Sequence, residues 1–261
     1  MSDAPPSYWS YLALDELLAA QRPRSEEHDE LLFIVIHQVS ELWFKQVLHE
    51  VAHLQRALES GDATAALEDL RRVLAIFKTL VGQMDVLETL TPRQFASFRG
   101  QLGPASGFQS AQFRELEAVL GARDDAVIAR TPEGVARERV AAAMARPAVF
   151  DSLLQYFVAG GHAVPEAVLG RDFAAPYEGS EDVQEMLLSV YAGDDGLGAQ
   201  VCERLVDLDE GLQEWRYRHV KLIERTIGSK AGTGGSSGAE FLQRTLFQPA
   251  FPDLWAVRSR L

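Results

Sequence analysis

The chain has 261 residues and a formal net charge of −13, from 25 Lys and Arg against 38 Asp and Glu. Such an acidic surface repels phosphates, which argues against nucleic acid and an anionic membrane face as partners. The one cysteine, Cys202, rules out an internal disulfide or a paired-thiolate metal site. No run of eighteen apolar residues and no basic-then-apolar leader is present, so we expect a cytoplasmic protein without a membrane span.

Helical periodicity dominates the chain, with apolar residues recurring at steps of three and four. Ser25 followed by acidic residues predicts the start of one long helix. Thr91, Pro92 and Gln94 form a capping-box pattern with proline at the first helical position, which predicts the start of another. In chain order, the predicted helices cover residues 12–18, 26–59, 64–88, 92–100, 108–121, 132–145, 148–158, 181–192, 197–228 and 238–247.

Clean alternation of apolar and polar residues, the pattern of a half-buried strand, appears nowhere in the chain. No internal repeat and no long linker divides it. The sequence therefore predicts an all-α fold, a single-domain helical bundle with long helices that spans residues 1–261.

The stretch His49-Glu50-Val51-Ala52-His53 matches the HExxH pattern of zinc hydrolases. Two histidines four residues apart share a helix face and could hold Zn²⁺, with the glutamate as base. No third ligand follows at a family spacing. We therefore favour the alternative, in which these residues lie on a solvated face with Lys45 and Arg56.

Two pairs with i,i+4 spacing place an aromatic ring beside a polar group on one helix face. Phe33 and His37 would make a dry pocket for a flat apolar ligand with one N–H, or else His37 is a core histidine bonded to another side chain. Phe95 and Arg99 would combine a ring with the planar fork that clamps carboxylates, or else Arg99 is a surface arginine.

His219 lies in the helical run EWRYRHVKLIERTIG, and the glycine-rich stretch GTGGSSG follows at 232–238. A neutral imidazole on a rigid helix is a common ligand of haem iron. The glycines fit no nucleotide-binding motif, and a flexible linker is one reading of them. Because another apolar helix follows at once, an ordered loop whose backbone approaches a ligand is the second reading, with Thr233 adding a hydroxyl.

Several blocks in this order and spacing resemble the tryptophan 2,3-dioxygenase family. The blocks are YWSYLALDELLAAQ, HDELLFIVIHQVSELWFKQ, FRGQLGPASGFQSAQFRELE, YFVAGGHAVPEAVLGRDF, and EWRYRHV through GTGGSSGAEFLQRTL. The resemblance implies an all-α fold that binds one haem b (iron protoporphyrin IX) between helices. It implies an enzyme that adds both atoms of O₂ across the indole C2–C3 bond of L-tryptophan, giving N-formyl-L-kynurenine as the first step of tryptophan catabolism through the kynurenine pathway.

The resemblance also assigns roles to individual residues. His219 matches the axial ligand of the haem iron, and His37 the histidine that hydrogen-bonds the indole N–H. Phe33 matches the ring beside the indole, Arg99 the carboxylate clamp, and Thr233 the loop hydroxyl that contacts the substrate's ammonium and carboxylate.

Further positions follow from the same resemblance. Ser106 matches a contact to a haem propionate, and Phe95 stands where some members carry tyrosine, so one possible substrate contact is lost. The family is homotetrameric. Tyr8, Tyr11 and Leu12 match residues of an N-terminal segment, here 1–22, that packs on a neighbouring subunit and closes its pocket.

Two other functions use much of the same machinery. A related haem-dependent monooxygenase of secondary metabolism would insert one oxygen atom into tryptophan or a methylated tryptophan with the same haem, histidines and arginine. A non-catalytic haem or ligand sensor would have no need of the amino-acid clamp that the resemblance assigns to Arg99 and Thr233.

Overall fold

The structure is a computed structural model that describes residues 5–193, 196–228, 230 and 239–261. Fourteen α-helices occupy these residues, and no strand occurs among them. The first seven are α1 Tyr8–Tyr11, α2 Leu14–Leu18, α3 Glu30–Glu59, α4 Ala63–Leu87, α5 Pro92–Arg99, α6 Ala111–Val119 and α7 Asp125–Arg130. The others are α8 Val135–Met144, α9 Val149–Ala159, α10 Glu166–Leu169, α11 Glu181–Ala192, α12 Gly196–Ile227, α13 Ala239–Gln243 and α14 Pro252–Ala256. Short 3₁₀ turns cover Gly100–Leu102, Gly107–Gln109 and Val257–Arg260. The predicted all-α class is confirmed.

The long helices α3, α4 and α12 form the centre of the bundle. Helix α4 packs against both of the others, while α6 and α9 cover other faces of α3. One continuous apolar core results, and its fully buried leucines include Leu54, Leu58, Leu70, Leu80 and Leu205. Burial of each such side chain contributes about 1.5–3 kcal/mol, so the three long helices carry much of the stability of the fold.

Helix α3 begins four residues later than the sequence predicts. Ser25 does not cap it. The backbone N–H and hydroxyl of Ser25 instead donate to a carboxylate oxygen of Glu30, at 2.8 and 2.5 Å. The backbone N–H of Arg24 donates to the other oxygen at 2.9 Å. Although burial opposes ionisation of Glu30, the bonds from Ser25 and Arg24 hold its pKa below the ordinary value.

The predicted capping box at the start of α5 is confirmed. The hydroxyl of Thr91 accepts from the backbone N–H of Gln94 at 3.4 Å, and the Gln94 side chain accepts from the backbone N–H of Thr91 at 3.0 Å. Pro92 occupies the first helical position, where a missing N–H costs nothing. These local bonds fix the direction of α5, the helix that ends with Arg99.

Two fully buried aspartates tie the segment around α14 to the bundle. The first, Asp209 of α12, accepts from the backbone N–H of Ala250 at 2.8 Å, the indole N–H of Trp255 at 2.8 Å and the side chain of Gln213 at 3.0 Å. Because Asp209 lies on the helix that also carries His219, this clamp braces that helix at its middle.

The second aspartate, Asp253, accepts hydrogen bonds from the hydroxyl of Tyr177, the backbone N–H of Ser180 and the side chain of Gln184. Gly179 approaches it closely: its φ is +97°, and a Cβ there would lie 2.9 Å from a carboxylate oxygen of Asp253. A glycine is therefore required at this contact.

The HExxH stretch does not form a metal site. His53 bonds to Asp69 at 2.6 Å, and Glu50 accepts from Arg72 at 2.6 Å. The expectation that Glu50 is solvated is wrong, since it is 5% exposed and lies beneath Arg72. Among the residues that the structure describes, no three His, Cys, Asp or Glu side chains are grouped so as to hold a metal ion.

Helix α3 is long and apolar enough to cross a membrane by length and composition alone. Its C-terminal half is a core helix of the bundle and buries Val47, Val51 and Leu54. Its N-terminal half leaves apolar side chains accessible, among them Leu31 and Leu42. The apolar residues of α3 thus pack in the core in its C-terminal half and lie on an exposed surface in its N-terminal half.

Candidate active site

A single cavity brings together the two histidines singled out in the sequence. Its empty volume is about 840 Å³, a figure that includes the open mouth of the cavity. His37 of α3 and His219 of α12 both lie on its wall. The apolar part of the wall includes Ile36, Phe44, Met84, Leu87, Phe113, Trp215, Leu222 and Leu242.

His219 presents a neutral imidazole to this cavity. Burial lowers its pKa to about 4, and the nearby His37 and Arg114 act in the same direction. Its ring lies against Trp215, one turn earlier on α12, with centroids 5.1 Å apart. Within the described part of the chain, no side chain or backbone group hydrogen-bonds the ring nitrogens of His219. At neutral pH the imidazole therefore has a lone pair available for a metal.

These features fit a haem. The group is flat and largely apolar, and it needs one neutral nitrogen ligand and a cavity with apolar walls. The wall supplies both, and the buried indole N–H of Trp215 has no partner among the described residues. A buried N–H without a protein partner is expected where a bound group or an ordered water molecule accepts its hydrogen bond.

The opposite histidine, His37, has a defined tautomer. Its Nδ1 lies 2.7 Å from the backbone carbonyl oxygen of Phe33. A carbonyl oxygen only accepts, so Nδ1 carries the proton and Nε2 of the neutral ring is an acceptor. Surrounding protein lowers the pKa of His37 even though the cavity leaves the ring accessible, which keeps the ring neutral. His37 can thus accept a hydrogen bond from a ligand N–H.

An aromatic corner lies beside His37, between α3 and α5. The Phe33 ring is 4.1 Å from that of His37 and 5.7 Å from those of both Phe95 and Phe98, measured between centroids. Arg99 follows Phe95 by one helical turn and is half-buried. The structure therefore brings the rings of both predicted i,i+4 pairs to one corner of the fold, and Arg99 ends the helix that carries Phe95.

Ser106 lies in the turn that leads into this cavity. It is half-buried, and its backbone N–H donates to the side chain of Gln109 at 3.3 Å. The next residue, Gly107, and the helix cap Ser110 both line the cavity. Ser106 is not itself among the residues of the described wall, but it precedes Gly107, which places it at the rim of the cavity.

The N-terminal residues lie apart from this site. Tyr8 and Tyr11 are 78% and 76% exposed, and Leu12 is also exposed. None of the three lies on the wall of the cavity as far as the structure describes it. Thr233, the predicted loop contact, lies outside the described residues.

The wall also carries a cluster of three charged residues that the sequence patterns above do not predict. Glu117 of α6 binds two arginines, Arg114 on its own helix and Arg216 on α12, and all three line the cavity. Arg114 and Glu117 are i,i+3 neighbours, and Arg216 precedes His219 by three residues. Charged residues at those spacings inside otherwise apolar helix faces are the signal that could have identified them.

Comparison with known proteins shows the family of the chain. A family model described as tryptophan 2,3-dioxygenase matches residues 1–140 and 184–261. A protein of Anaeromyxobacter sp. (strain K) named tryptophan 2,3-dioxygenase is 63% identical over 98% of this chain and 96% of its own length. Proteins of the same name from Herpetosiphon aurantiacus and Caulobacter vibrioides are 52% and 44% identical, each over 98% of this chain and 98% of its own length. The chain belongs to the tryptophan 2,3-dioxygenase family.

Proposed function

We propose that this chain is a haem-dependent dioxygenase that cleaves the indole C2–C3 bond of L-tryptophan with O₂, giving N-formyl-L-kynurenine. The observation that carries the proposal is the pairing of a neutral His219 with a neutral His37 on the wall of one apolar cavity. The names of the relatives supply the reaction, since each of those described above is called a tryptophan 2,3-dioxygenase.

We propose His219 as the residue that would hold the iron of a haem b. When bound, the haem supplies the iron that activates O₂. The chain would hold the haem through His219 on the cavity wall. Asp209 braces α12, and Trp215 packs on the imidazole ring. Ser106 at the rim is the proposed contact to a haem propionate.

His37 and Phe33 orient the indole. The free Nε2 of His37 accepts the indole N–H, and Phe33 packs beside the indole ring. We assign His37 an orienting role and not that of an obligatory base, because the indole N–H is a very weak acid. The contact between the two rings and the bond to the Phe33 carbonyl hold the imidazole in place before substrate arrives.

Arg99 and Thr233 fix the amino-acid part of the substrate. The guanidinium of Arg99 pairs with the α-carboxylate, and the Thr233 hydroxyl contacts the ammonium and carboxylate. Phe95 packs on Phe33 and supports the same corner. Holding the zwitterion at this point sets the position of the indole in the cavity, which is how orientation lowers the barrier of a two-reactant step.

We propose a cytoplasmic homotetramer in which the N-terminal segment of one subunit covers the pocket of another. Tyr8, Tyr11 and Leu12 are exposed and remote from the cavity of their own chain. Leu31 and Leu42 of α3 add exposed apolar surface. Large apolar side chains exposed at neighbouring positions of the chain, as at Tyr8, Tyr11 and Leu12, are what a segment that packs on a partner would present.

The direct test reconstitutes the purified chain with hemin, reduces it, and adds L-tryptophan in air. We expect a Soret band and a product heavier than tryptophan by two oxygen atoms. His219→Ala should lose or weaken haem binding and abolish turnover. A His219→Ala protein with full haem content and near-normal turnover would refute the ligand assignment.

The same experiment separates the other candidate functions. A product heavier by one oxygen atom identifies a monooxygenase. A spectrum that responds to tryptophan without any product identifies a sensor. Full activity in metal-chelated, haem-free protein identifies a different chemistry altogether.

A further inference from the structure

The buried charges behind the cavity form a compact triad. Arg114 and Glu117 are 6% and 8% exposed, and Arg216 is similarly buried. One oxygen of the Glu117 carboxylate accepts from Arg114, and the other accepts from Arg216 at 2.8 Å. Arg216 also donates to the backbone carbonyl of Thr245 at 3.3 Å. The carboxylate thus holds two guanidinium groups in fixed positions.

The triad lies on the wall that carries His219. Arg216 precedes His219 by almost one turn of α12, and Trp215 is the residue before Arg216 on the same helix. The Trp215 ring is 4.6 Å from Phe113 of α6 and 5.1 Å from His219, measured between centroids. All of these side chains line the same cavity. The two guanidiniums are therefore buried charges close to the proposed iron ligand.

Stability alone is a weak reason for such a triad. Removing three charges from water costs several kcal/mol per ion, and well-packed apolar side chains of similar volume are often as stable or more so. The charges are permanent, because arginine stays protonated in proteins. Buried among protein atoms, they are screened far less than surface charges, so they act on any charge change in the cavity.

We propose that the positive charges of Arg114 and Arg216, which Glu117 holds in place, raise the reduction potential of the haem bound at His219. The inference rests on the haem binding proposed above. Reduction adds one electron, supplied by a one-electron reductant, and lowers the charge of the centre by one without requiring a proton. Fixed positive charge nearby opposes the more positive ferric state, so the triad favours the ferrous state that O₂ chemistry needs.

For each charge, the direction in which its removal shifts the ferrous-to-ferric ratio is predicted. This direction does not depend on the other contacts that Arg114 makes. Removing a cation should favour ferric haem, and removing the anion should favour ferrous haem. A matched control is Arg139, which pairs with Glu115 of α6 at 2.7 Å but is half-exposed and does not line the cavity. Solvent screens its charge, so its loss should have little effect.

The test is a redox titration of the full-length chain reconstituted with hemin, using dithionite, mediator dyes and the Soret band. At a fixed solution potential, Arg114→Met should lower the ferrous-to-ferric ratio about tenfold, a shift of about 59 mV for a one-electron couple. Glu117→Gln should raise the ratio by a similar factor. Arg114→Lys, which keeps the charge, and Arg139→Met should leave the ratio within about twofold of the parent protein, because neither removes a buried charge from the cavity wall.

Two results overturn the inference while leaving the proposed function intact: unchanged ratios in both Arg114→Met and Glu117→Gln, or shifts of both in the same direction. Should Arg114→Met fail to fold, Glu117→Gln decides alone, since a rise supports the inference and a fall or no change overturns it. A parent protein without a Soret band instead rejects the proposed haem binding, and this inference with it.

Discussion

Replacing His37 by alanine tests the most specific part of the site. The change removes the Nε2 acceptor proposed for the indole N–H and leaves that donor without a protein partner once the substrate is bound. An unsatisfied buried donor costs about 1–3 kcal/mol. Since about 1.4 kcal/mol corresponds to a tenfold change in rate, kcat/KM for L-tryptophan should fall by about 5- to 150-fold. Turnover should be slowed and not abolished.

The assay compares parent and His37→Ala proteins at equal haem content, judged from the Soret absorbance. A second substrate, tryptophan methylated on the indole nitrogen, has no N–H to donate. With that substrate the loss caused by His37→Ala should disappear or reverse, because the methyl group occupies the space that the imidazole leaves. This comparison separates loss of a hydrogen bond from a general change in the shape of the cavity.

Two outcomes would refute the reasoning. A His37→Ala protein that holds haem normally but has no activity would show that His37 is obligatory in the chemistry. Equal losses with both substrates would show that its contribution does not pass through the indole N–H.

Three further predictions concern pH, substrate affinity and stability. Desolvation by the surrounding protein lowers the pKa of His37 below 6.5, so its acceptor is intact above pH 6.5 and is lost as the pH falls through the lowered pKa. We therefore expect kcat/KM to be flat above pH 6.5 and to decline below it. A His37→Ala protein that keeps the same decline would contradict this prediction. Arg99→Ala should raise KM for tryptophan by about 10- to 150-fold, because a hydrogen bond to a charged group contributes about 1.5–3 kcal/mol. Haem content should be unchanged, and Arg99→Lys should have an intermediate KM. An unchanged KM in Arg99→Ala would count against the clamp. Asp209→Ala leaves several buried donors unsatisfied and should lower the free energy of unfolding by about 3–5 kcal/mol in a urea titration, while Asp207→Ala on the exposed face of α12 should change it by less than about 1 kcal/mol. Similar losses for the two aspartates would contradict the role given to the buried one.

The long helices were predictable because their apolar residues recur with helical spacing over many turns. Helices α4 and α12 begin and end within a residue or so of the predicted bounds. The start of α3 was not predictable in the same way. The hydroxyl of Ser25 could accept a hydrogen bond from the first turn of a helix or donate one to a carboxylate later in the chain. In the structure it donates to Glu30. The short helices α7 and α10 lack enough turns to show a period.

The spacing of apolar residues does not predict which side chains of different helices contact each other. Glu50 is buried because Arg72 approaches from α4, and nothing in the sequence near Glu50 indicates that partner. The pairing of His37 with His219 across one cavity is of the same kind, since the residues lie on helices far apart in the chain. The resemblance to a family supplied that pairing, and only local pairs such as Phe33 with His37 followed from spacing.

The clamp at Asp209 has a consequence for how the protein is made. Its acceptor oxygens are matched by groups at Ala250 and Trp255, which the ribosome adds some forty residues later. Until that stretch has left the exit tunnel, the nascent helix α12 would expose a carboxylate destined for the interior. The bonds that brace the helix carrying His219 can therefore form only after these later residues have been made.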